Sequence, residues 1–202
     1  MTQSRRDRRR LLEARAFHQC GYFTAAQALE AGYTYQAQKY HADSGNWVRV
    51  SRGLFRLPNW PSAAEDEYVL WTLWSRGLAV LSHETALSVH GLSDVDPPRI
   101  HLTVPEGFRA KHPAVVAHVD VLAEEDSEQR GAWRVTTPLR TLADVSGSDL
   151  SQEHVDRAVL DALERGLTSR RILLHRSATL PNRAALRLER ALATASEQNG
   201  DL

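Results

Sequence analysis

Apolar residues in the first 60 positions recur three times with helical spacing before the spacing becomes that of strands. The first helix is predicted from Ser4 to about Cys20, with Gly21 ending it. The second begins after Thr24, whose spacing from Gln27 predicts a capping box between the two side chains. Two short helices are therefore expected in direct succession.

A third helix is predicted to start after Thr34 as its N-cap and to end at Gly45. Two β-prone runs follow at residues 47–50 and 54–57, and the polar residues 51–53 between them predict a hairpin. Helices joined by a glycine-containing turn are typical of the helix-turn-helix, and a basic hairpin after them makes it winged. The sequence therefore predicts a winged helix-turn-helix here.

Residues 58–62, which include two prolines, interrupt this pattern and predict the end of the first domain near residue 60. The rest of the chain alternates between helical and strand-like patterns. Helices are predicted at residues 64–76, 82–91, 138–145, 152–165, 169–175 and 183–195, and strands at residues 99–104, 114–119 and 133–136. The predicted fold class is α+β, with an N-terminal winged helix-turn-helix domain at residues 1–60 and a mixed domain of helices with a small sheet at residues 61–202.

The formal net charge of the chain is zero, but the charges are distributed unevenly. Residues 1–60 carry ten basic against four acidic side chains, a net charge of +6. Residues 61–202 carry fifteen basic against twenty-one acidic side chains, a net charge of −6. A basic N-terminal domain predicts a phosphate-rich partner, and a winged helix-turn-helix favours double-stranded DNA.

The chain contains no run of about 18 apolar residues, and no apolar signal segment follows its basic N-terminus. We therefore expect a cytoplasmic protein with no membrane partner. Cys20 is the single cysteine, which excludes an internal disulfide and a zinc site built from paired thiolates. No cofactor is predicted.

The third helix is the candidate recognition helix, and a helical wheel that starts at residue 33 divides it into two faces. The predicted packed face consists of Tyr33, Ala37, Tyr40 and Ser44. The predicted outward face consists of Tyr35, Gln38, Lys39 and Ala42. Glutamine pairs with adenine, lysine with guanine or phosphate, and tyrosine with phosphate or a thymine methyl, so this face suits the major groove. A merely solvated helix face is the alternative.

The hairpin is the candidate wing. Strand alternation predicts that Val48 and Val50 point inward and Arg49 outward, and Arg56 repeats the outward position on the return strand. Arg52 lies at the predicted turn, where a guanidinium can reach a phosphate or a minor groove. A solvated hairpin without DNA contacts is the alternative. The predicted DNA-binding residues are Thr34, Tyr35, Gln36, Gln38, Lys39, Arg49, Arg52 and Arg56.

Five arginines, at positions 5, 6, 8, 9 and 10, lie at the start of the first predicted helix. The helix dipole disfavours cations at that end. Two interpretations remain open for this run: a disordered basic arm, or a segment that contacts phosphate.

Nuclease and nucleotidyltransferase motifs are the first enzyme signatures to consider. A restriction-type nuclease needs a carboxylate two positions before a lysine, but Ala37 and Arg109 stand two positions before Lys39 and Lys111. A nucleotidyltransferase needs paired aspartates on a strand after a Gly-Ser turn, and none follow the Gly-Ser at residues 147–148. Both activities are therefore disfavoured.

Residues 82–84, Ser-His-Glu, are the residue types of a hydrolase. Three consecutive side chains cannot converge as a triad, so Ser82 is interpreted as a helix cap. Arg140 and Asp144 are four positions apart on a predicted helix, which indicates a structural ion pair.

His101, His118 and Asp120 are the remaining candidates for a metal site, because adjacent strands could bring them together. Lone histidines on strands are more often packing or hydrogen-bonding residues, and this interpretation is favoured. We therefore predict no catalytic residue, no metal site and no enzymatic activity.

Four segments, taken in this order, resemble the AbiEi-type antitoxins of type IV toxin-antitoxin systems. They are GYFTAAQA at 21–28, GNWVRVSRGLFRL at 45–57, LSHETA at 81–86 with HGL at 90–92, and VTTPLRTLAD at 135–144. The resemblance covers about residues 1–175. Many longer members carry a restriction-endonuclease-like domain at the C-terminus, and this chain resembles the short form without it.

The resemblance implies an antitoxin of abortive infection that represses transcription of its own operon, binding an operator upstream of it. It also implies a neighbouring nucleotidyltransferase-like toxin as a partner. The alternative function is a protein-binding antitoxin or regulator whose acidic C-terminal domain contacts that toxin. The acidic charge of residues 61–202 suits such a contact, but it also serves solubility alone.

Overall fold

The computed structural model describes residues 4–200, and side chains for residues 4–197. The described chain forms two compact units. The first comprises residues 4–78 and 130–133, and the second comprises residues 79–129 and 134–200. The mixture of helices with two small sheets confirms the predicted α+β class.

The first unit has four helices and a small sheet. Its helices are α1 (Arg5–Phe17), α2 (Ala25–Glu30), α3 (Tyr35–Asp43) and α4 (Asp66–Trp74), and its strands are β1 (Tyr22–Thr24), β2 (Val48–Ser51) and β3 (Leu54–Arg56). The strand order is β1-β3-β2, and both pairings are antiparallel. The sequence did not predict β1, because its three residues become a strand only through pairing with β3.

An aromatic core holds the first unit together. Phe23 of β1 and Phe55 of β3 are buried, and Trp47, just before β2, is 5% exposed. The Phe23 and Trp47 rings meet edge to face with centroids 4.9 Å apart, and Tyr33 meets Trp47 in the same way at 5.0 Å. Leu12 of α1 packs into the same core. The sheet and the helices are thus joined through one group of rings.

The second unit contains five helices and a five-stranded sheet. Its strands are β4 (Val80–Leu81), β5 (Ile100–Val104), β6 (Val115–Val119), β7 (Ser127–Arg130) and β8 (Trp133–Thr136), and its helices are α5 (His83–His90), α6 (Pro138–Gly147), α7 (Gln152–Glu164), α8 (Arg170–Ser177) and α9 (Asn182–Gly200). The strand order is β6-β5-β4-β8-β7. Strand β4 pairs antiparallel with β5 and parallel with β8.

Apolar residues at helical spacing build the core of the second unit. Leu142 and Val145 of α6, Val155 and Val159 of α7, and Leu188 of α9 are fully buried in one cluster. Pro138 occupies the first turn of α6, and Thr137 caps that helix by accepting from the Arg140 amide. The predicted helices α6–α9 therefore form where the sequence placed them, within a few residues at each end.

A buried arginine connects the sheet end of this unit to α6. Arg140 is only 8% exposed in its side chain, and its Nε donates to Asp144 Oδ1 at 2.7 Å, which confirms the predicted ion pair. Its Nη1 donates to Asp126 Oδ2 at 2.9 Å, and its Nη2 contacts Asp120. One guanidinium thus serves three carboxylates, which is the fork geometry that arginine supplies and lysine does not.

We expect Arg140→Met to lower the free energy of unfolding by about 3–5 kcal/mol, because it leaves buried carboxylates without their cation. Urea denaturation followed by circular dichroism measures the change. Arg183→Met is the matched control, since Arg183 pairs with Asp149 at side-chain exposures of 66% and 98%, and its loss should cost at most about 1 kcal/mol. Equal losses of unfolding free energy in the two variants would contradict a stabilising role for the ion pairs of Arg140.

Candidate nucleic-acid interface

The helix-turn-helix is built from two capped helices. Thr24 Oγ1 accepts from the Gln27 amide at 3.2 Å, and Gln27 Oε1 accepts from the Thr24 amide at 2.9 Å, which confirms the predicted capping box of α2. Thr34 is the N-cap of α3, as predicted, and accepts from the Ala37 amide at 3.2 Å. These caps fix where α3 begins, and hence which of its side chains are exposed.

Gln38 does not lie on the exposed face, contrary to the sequence prediction. It is 3% exposed, and its Nε2 donates to the carbonyls of Ala25 at 3.1 Å and Tyr33 at 3.0 Å. Its amide therefore ties α3 to α2 and to the turn between them. In this position Gln38 cannot reach a base, so its assignment as a DNA-binding residue was wrong.

The exposed face of α3 is rotated relative to the predicted one. Tyr40, which the wheel assigned to the packed face, is 64% exposed, and Ala42, assigned to the outward face, is partly buried. The wheel started at Tyr33, which precedes the N-cap and does not follow the helical phase. The exposed face consists of Tyr35, Gln36, Lys39, Tyr40 and Asp43.

This face combines aromatic, amide and charged chemistry. Tyr35 is 70% exposed, so both tyrosine rings of α3 are presented outward. Lys39 contacts Asp43 one turn later, and both side chains are more than half exposed. Such an exposed pair is weak, so Lys39 can exchange it for a phosphate or a base. Tyr40 is the candidate contact that the sequence analysis missed.

The wing carries two exposed arginines, Arg49 and Arg52, but its valines do not point inward as predicted. Val48 and Val50 are 49% and 38% exposed. Arg49 is exposed as predicted, and its guanidinium lies 5.5 Å from the centroid of the buried Phe55 ring. The register is irregular between Arg49 and Ser51, which interrupts the regular alternation of faces. Arg52 lies exposed at the turn, as predicted.

Arg56 is a structural residue and not an outward-pointing one. Its guanidinium lies over the Tyr22 ring at 4.6 Å and donates to Asp66 Oδ2 at 2.5 Å and to the Cys20 carbonyl at 3.2 Å. Its side chain is 19% exposed. The assignment of Arg56 to DNA binding was therefore wrong, because partners in β1, in α4 and at Cys20 just before β1 hold it against the unit.

The arginine run forms the first two turns of α1, so the interpretation as a disordered arm was wrong. Ser4 and Asp7 cap the helix reciprocally, and the Asp7 carboxylate offsets the cations at this end. Arg8 donates to the Gly32 carbonyl at 3.2 Å, and Arg9 pairs with Glu13 at 2.7 Å. The remaining exposed cations of the run, Arg5, Arg6 and Arg10, have no ion pair among residues 4–197.

A histidine cluster lies in the second unit, where the sequence analysis considered a metal site. The His83 and His118 rings stack with centroids 3.5 Å apart, and His118 Nε2 lies 3.1 Å from His101 Nδ1. His101 Nε2 lies 2.5 Å from Glu84 Oε2. A carboxylate only accepts, so His101 donates to Glu84 from Nε2.

The same cluster borders a cleft of about 570 Å³ that also reaches Asp120, Arg140 and Asp144. Asp120 pairs with Arg140 and does not join the histidines. Among residues 4–197, no group of three or more acidic, histidine or cysteine side chains is arranged to hold a metal ion. His101 and His118 are hydrogen-bonded to each other, as the favoured interpretation expected.

Residues 82–84 do not form a triad. Ser82 is the N-cap residue of α5, as predicted, but its hydroxyl makes no capping bond and lies instead 3.0 Å from His83 Nδ1. Ser82 is fully buried. Glu84 points to His101 rather than to His83.

Burial shifts the pKa values of His83, His118 and Asp144, which border the same cleft. Burial lowers the pKa of His83 to about 2, with help from the neighbouring His118, and lowers the pKa of His118 to about 4. Burial raises the pKa of Asp144 to about 6, although Arg140 opposes the shift, and its Oδ2 is buried without a hydrogen-bond partner. The folded unit therefore keeps both rings neutral where an unfolded chain would protonate them.

We expect the free energy of unfolding to fall as the pH drops below about 6.5. In this range His83 and His118 take up protons in the unfolded chain but stay neutral in the folded one. Asp144 acts in the opposite direction between its ordinary pKa and about 6. Since His83 has the more strongly lowered pKa, His83→Gln should reduce the slope between pH 5 and 6.5 by about 1.4 kcal/mol per pH unit.

Urea titrations at several pH values measure this slope. His18→Gln, at an exposed histidine of the first unit, is the matched control. An unchanged slope in His83→Gln would show that the stacked pair does not carry the acid sensitivity.

The fold has a relative among solved structures. The crystal structure of the Rv2827c protein from Mycobacterium tuberculosis matches with a TM-score of 0.62 and 16% sequence identity, over 96% of this chain and 79% of that one. At this identity the match concerns the fold alone. No curated protein matches the chain significantly. Every helix within residues 4–200 is too short or too polar to cross a bilayer.

A family model described as a transcriptional regulator and AbiEi antitoxin matches residues 9–58. This stretch runs from α1 through the helix-turn-helix to the end of the wing. It contains two of the four segments on which the resemblance was based, at residues 21–28 and 45–57. Over residues 9–58 the chain is therefore similar to the AbiEi antitoxin family of transcriptional regulators.

Proposed function

We propose that this protein is a cytoplasmic DNA-binding repressor that acts as the antitoxin of a type IV toxin-antitoxin system and controls its own operon. It acts by binding and not by catalysis. The observation that carries the proposal is the exposed face of α3, where Tyr35, Lys39 and Tyr40 project from a helix capped and anchored on its other side. Such a face can enter a major groove while the rest of the unit stays unchanged.

The charge distribution supports DNA as the partner. Residues 1–60 carry a net charge of +6, and Arg5, Arg6 and Arg10 of α1 are exposed. Cations contact phosphates irrespective of sequence, so they provide affinity, whereas α3 provides discrimination. Thr34 and Gln36, at the start of α3, are exposed and remain proposed DNA contacts. The proposed DNA-binding set is Thr34, Tyr35, Gln36, Lys39, Tyr40, Arg49 and Arg52.

A contact with a nucleotidyltransferase-like toxin is the second candidate function. The net charge of −6 on residues 61–202 favours a basic protein partner for the second unit. Co-purification with the product of the neighbouring gene tests this contact. Failure to co-purify would remove the toxin contact and leave the DNA-binding proposal to its own tests.

Binding of the intergenic DNA upstream of the operon is the direct test of repression. Fluorescence anisotropy with this DNA and with a scrambled duplex gives the ratio of the two affinities. A repressor binds the upstream DNA at least about a thousandfold more tightly. Equal affinities for the two duplexes would contradict the proposal.

We expect Tyr35→Ala, Lys39→Ala and Tyr40→Ala each to lower the operator-to-random affinity ratio. A lost base contact costs about 1–3 kcal/mol on the operator and much less on random DNA. Leu186→Ala, at an exposed position of the second unit, is the control and should leave the ratio unchanged. If all three α3 variants keep the wild-type ratio, α3 does not read sequence.

Substitutions of Arg52 and Arg56 should have different effects, one on DNA affinity and the other on stability, although both residues belong to the hairpin. Arg52→Ala should weaken binding to every duplex and reduce the slope of log affinity against log salt by about one phosphate contact. Arg56→Ala should lower the melting temperature without changing affinity per folded molecule, because its partners are all internal. Salt-dependent anisotropy and thermal unfolding separate the two effects. A stability loss in Arg52→Ala with an unchanged salt slope would make the wing structural.

A further inference from the structure

The first unit contains a cavity of about 420 Å³ between the start of α1, the end of α3 and the chain that follows β3. Its volume lies in the range of about 300–1,000 Å³ that is typical of small-molecule sites. Its lining includes the charged side chains of Arg5, Arg9 and Glu13 and a group of aromatic rings. Except for Arg5, whose exposed cation is also proposed to contact phosphate, the proposed DNA-binding function uses none of these residues.

Aromatic rings form much of the wall. His41 stacks on Trp47 with ring centroids 4.7 Å apart and an interplanar angle of 18°, and Tyr33 meets His41 edge to face at 5.3 Å. Tyr33 and Trp47 are 7% and 5% exposed, so the core packing holds them in place. Trp60 adds a further ring to the lining. A planar ring can pack on such a wall without rearranging it.

The charged side chains of the lining favour an anion. Arg9 pairs with Glu13, whereas Arg5 has no ion pair among residues 4–197, so the lining carries a net positive charge. Burial lowers the pKa of His41, and the positive charge of Arg5 lowers it further. His41 Nδ1 is buried without a hydrogen-bond partner, so the polar groups of this wall are not all satisfied internally.

We propose that this cavity binds an aromatic carboxylate of one or two rings, with the ring system against the aromatic wall and the carboxylate on Arg5. The aromatic wall excludes a strongly hydrated anion such as inorganic phosphate as the best ligand, because it would leave that surface unfilled. The net charge of the lining disfavours aromatic amines. His41 belongs to α3, so the ligand contacts the helix proposed to read DNA, although binding itself does not depend on that function.

Calorimetric titration of the full chain with naphthalene-2-carboxylate tests the site. We expect one ligand per chain, and we expect weaker binding of cyclohexanecarboxylate, which lacks the aromatic ring, and of naphthalene-2-carboxamide, which lacks the charge. Quenching of tryptophan fluorescence provides an independent readout, because Trp47 and Trp60 both line the cavity. Absence of binding by the naphthoate, or equal binding of the three compounds, would overturn the proposal.

Arg5→Gln is the decisive variant and should weaken binding of the naphthoate by roughly ten- to a hundredfold, the value of one charged hydrogen bond. Arg6→Gln is the matched control, since Arg6 is the adjacent exposed arginine of the same helix and does not line the cavity. It should stay close to wild type. Both positions are exposed, and circular dichroism verifies that each variant is folded. Equal affinities of the two variants would place the carboxylate elsewhere and contradict the assignment.

Discussion

The orientation of α3 depends on how Trp47 and Gln38 fasten it to the rest of its unit. Trp47 packs against the rings of Phe23 and Tyr33 in one buried group, and the side-chain amide of Gln38 donates hydrogen bonds to two backbone carbonyls. Aromatic packing supplies the attraction, and the buried amide adds direction, because its hydrogen bonds are satisfied in only one rotation of the helix. That rotation exposes Tyr35 and Tyr40, and the proposed DNA interface follows from it.

The second unit differs from the first in that it buries charged side chains, Arg140 and its carboxylate partners. Arg140 pairs with carboxylates from α6 and from the segment between β6 and β7, and burial lowers the pKa of His83 and of His118 nearby. A guanidinium in the interior is tolerated only when its donors are matched. The two segments that the sequence analysis singled out here, at residues 81–86 and 135–144, border the same cleft because β4 pairs with β8. The pairing of these strands explains why the two segments lie together, and this explanation needs no binding partner.

The cavity beside α1 gives the first unit a possible second role. Its lining shares Tyr33 and Trp47 with the core that orients α3. A ligand there would pack against the residues that determine which face of α3 is exposed. In this way the same aromatic residues of a small winged-helix unit can line a ligand site and support the helix proposed to read DNA.

The sequence by itself determined most of the helices and most of their caps. The capping box at Thr24, the N-cap at Thr34 and the pair between Arg140 and Asp144 involve residues three or four positions apart, so local spacing was enough to predict them. The basic charge of the N-terminal segment and the exposed Arg52 likewise needed no tertiary information.

Only the tertiary structure decided the strand β1, the burial of Gln38, the inward position of Arg56 and the exposure of Tyr40. Each depends on a partner distant in sequence: β1 needs β3, Gln38 needs the Ala25 carbonyl, and Arg56 needs Asp66. Periodicity alone cannot distinguish a polar side chain that faces solvent from one that satisfies a buried backbone group. The difference lies in which unpaired carbonyls the neighbouring elements present, and folding alone brings those carbonyls into reach.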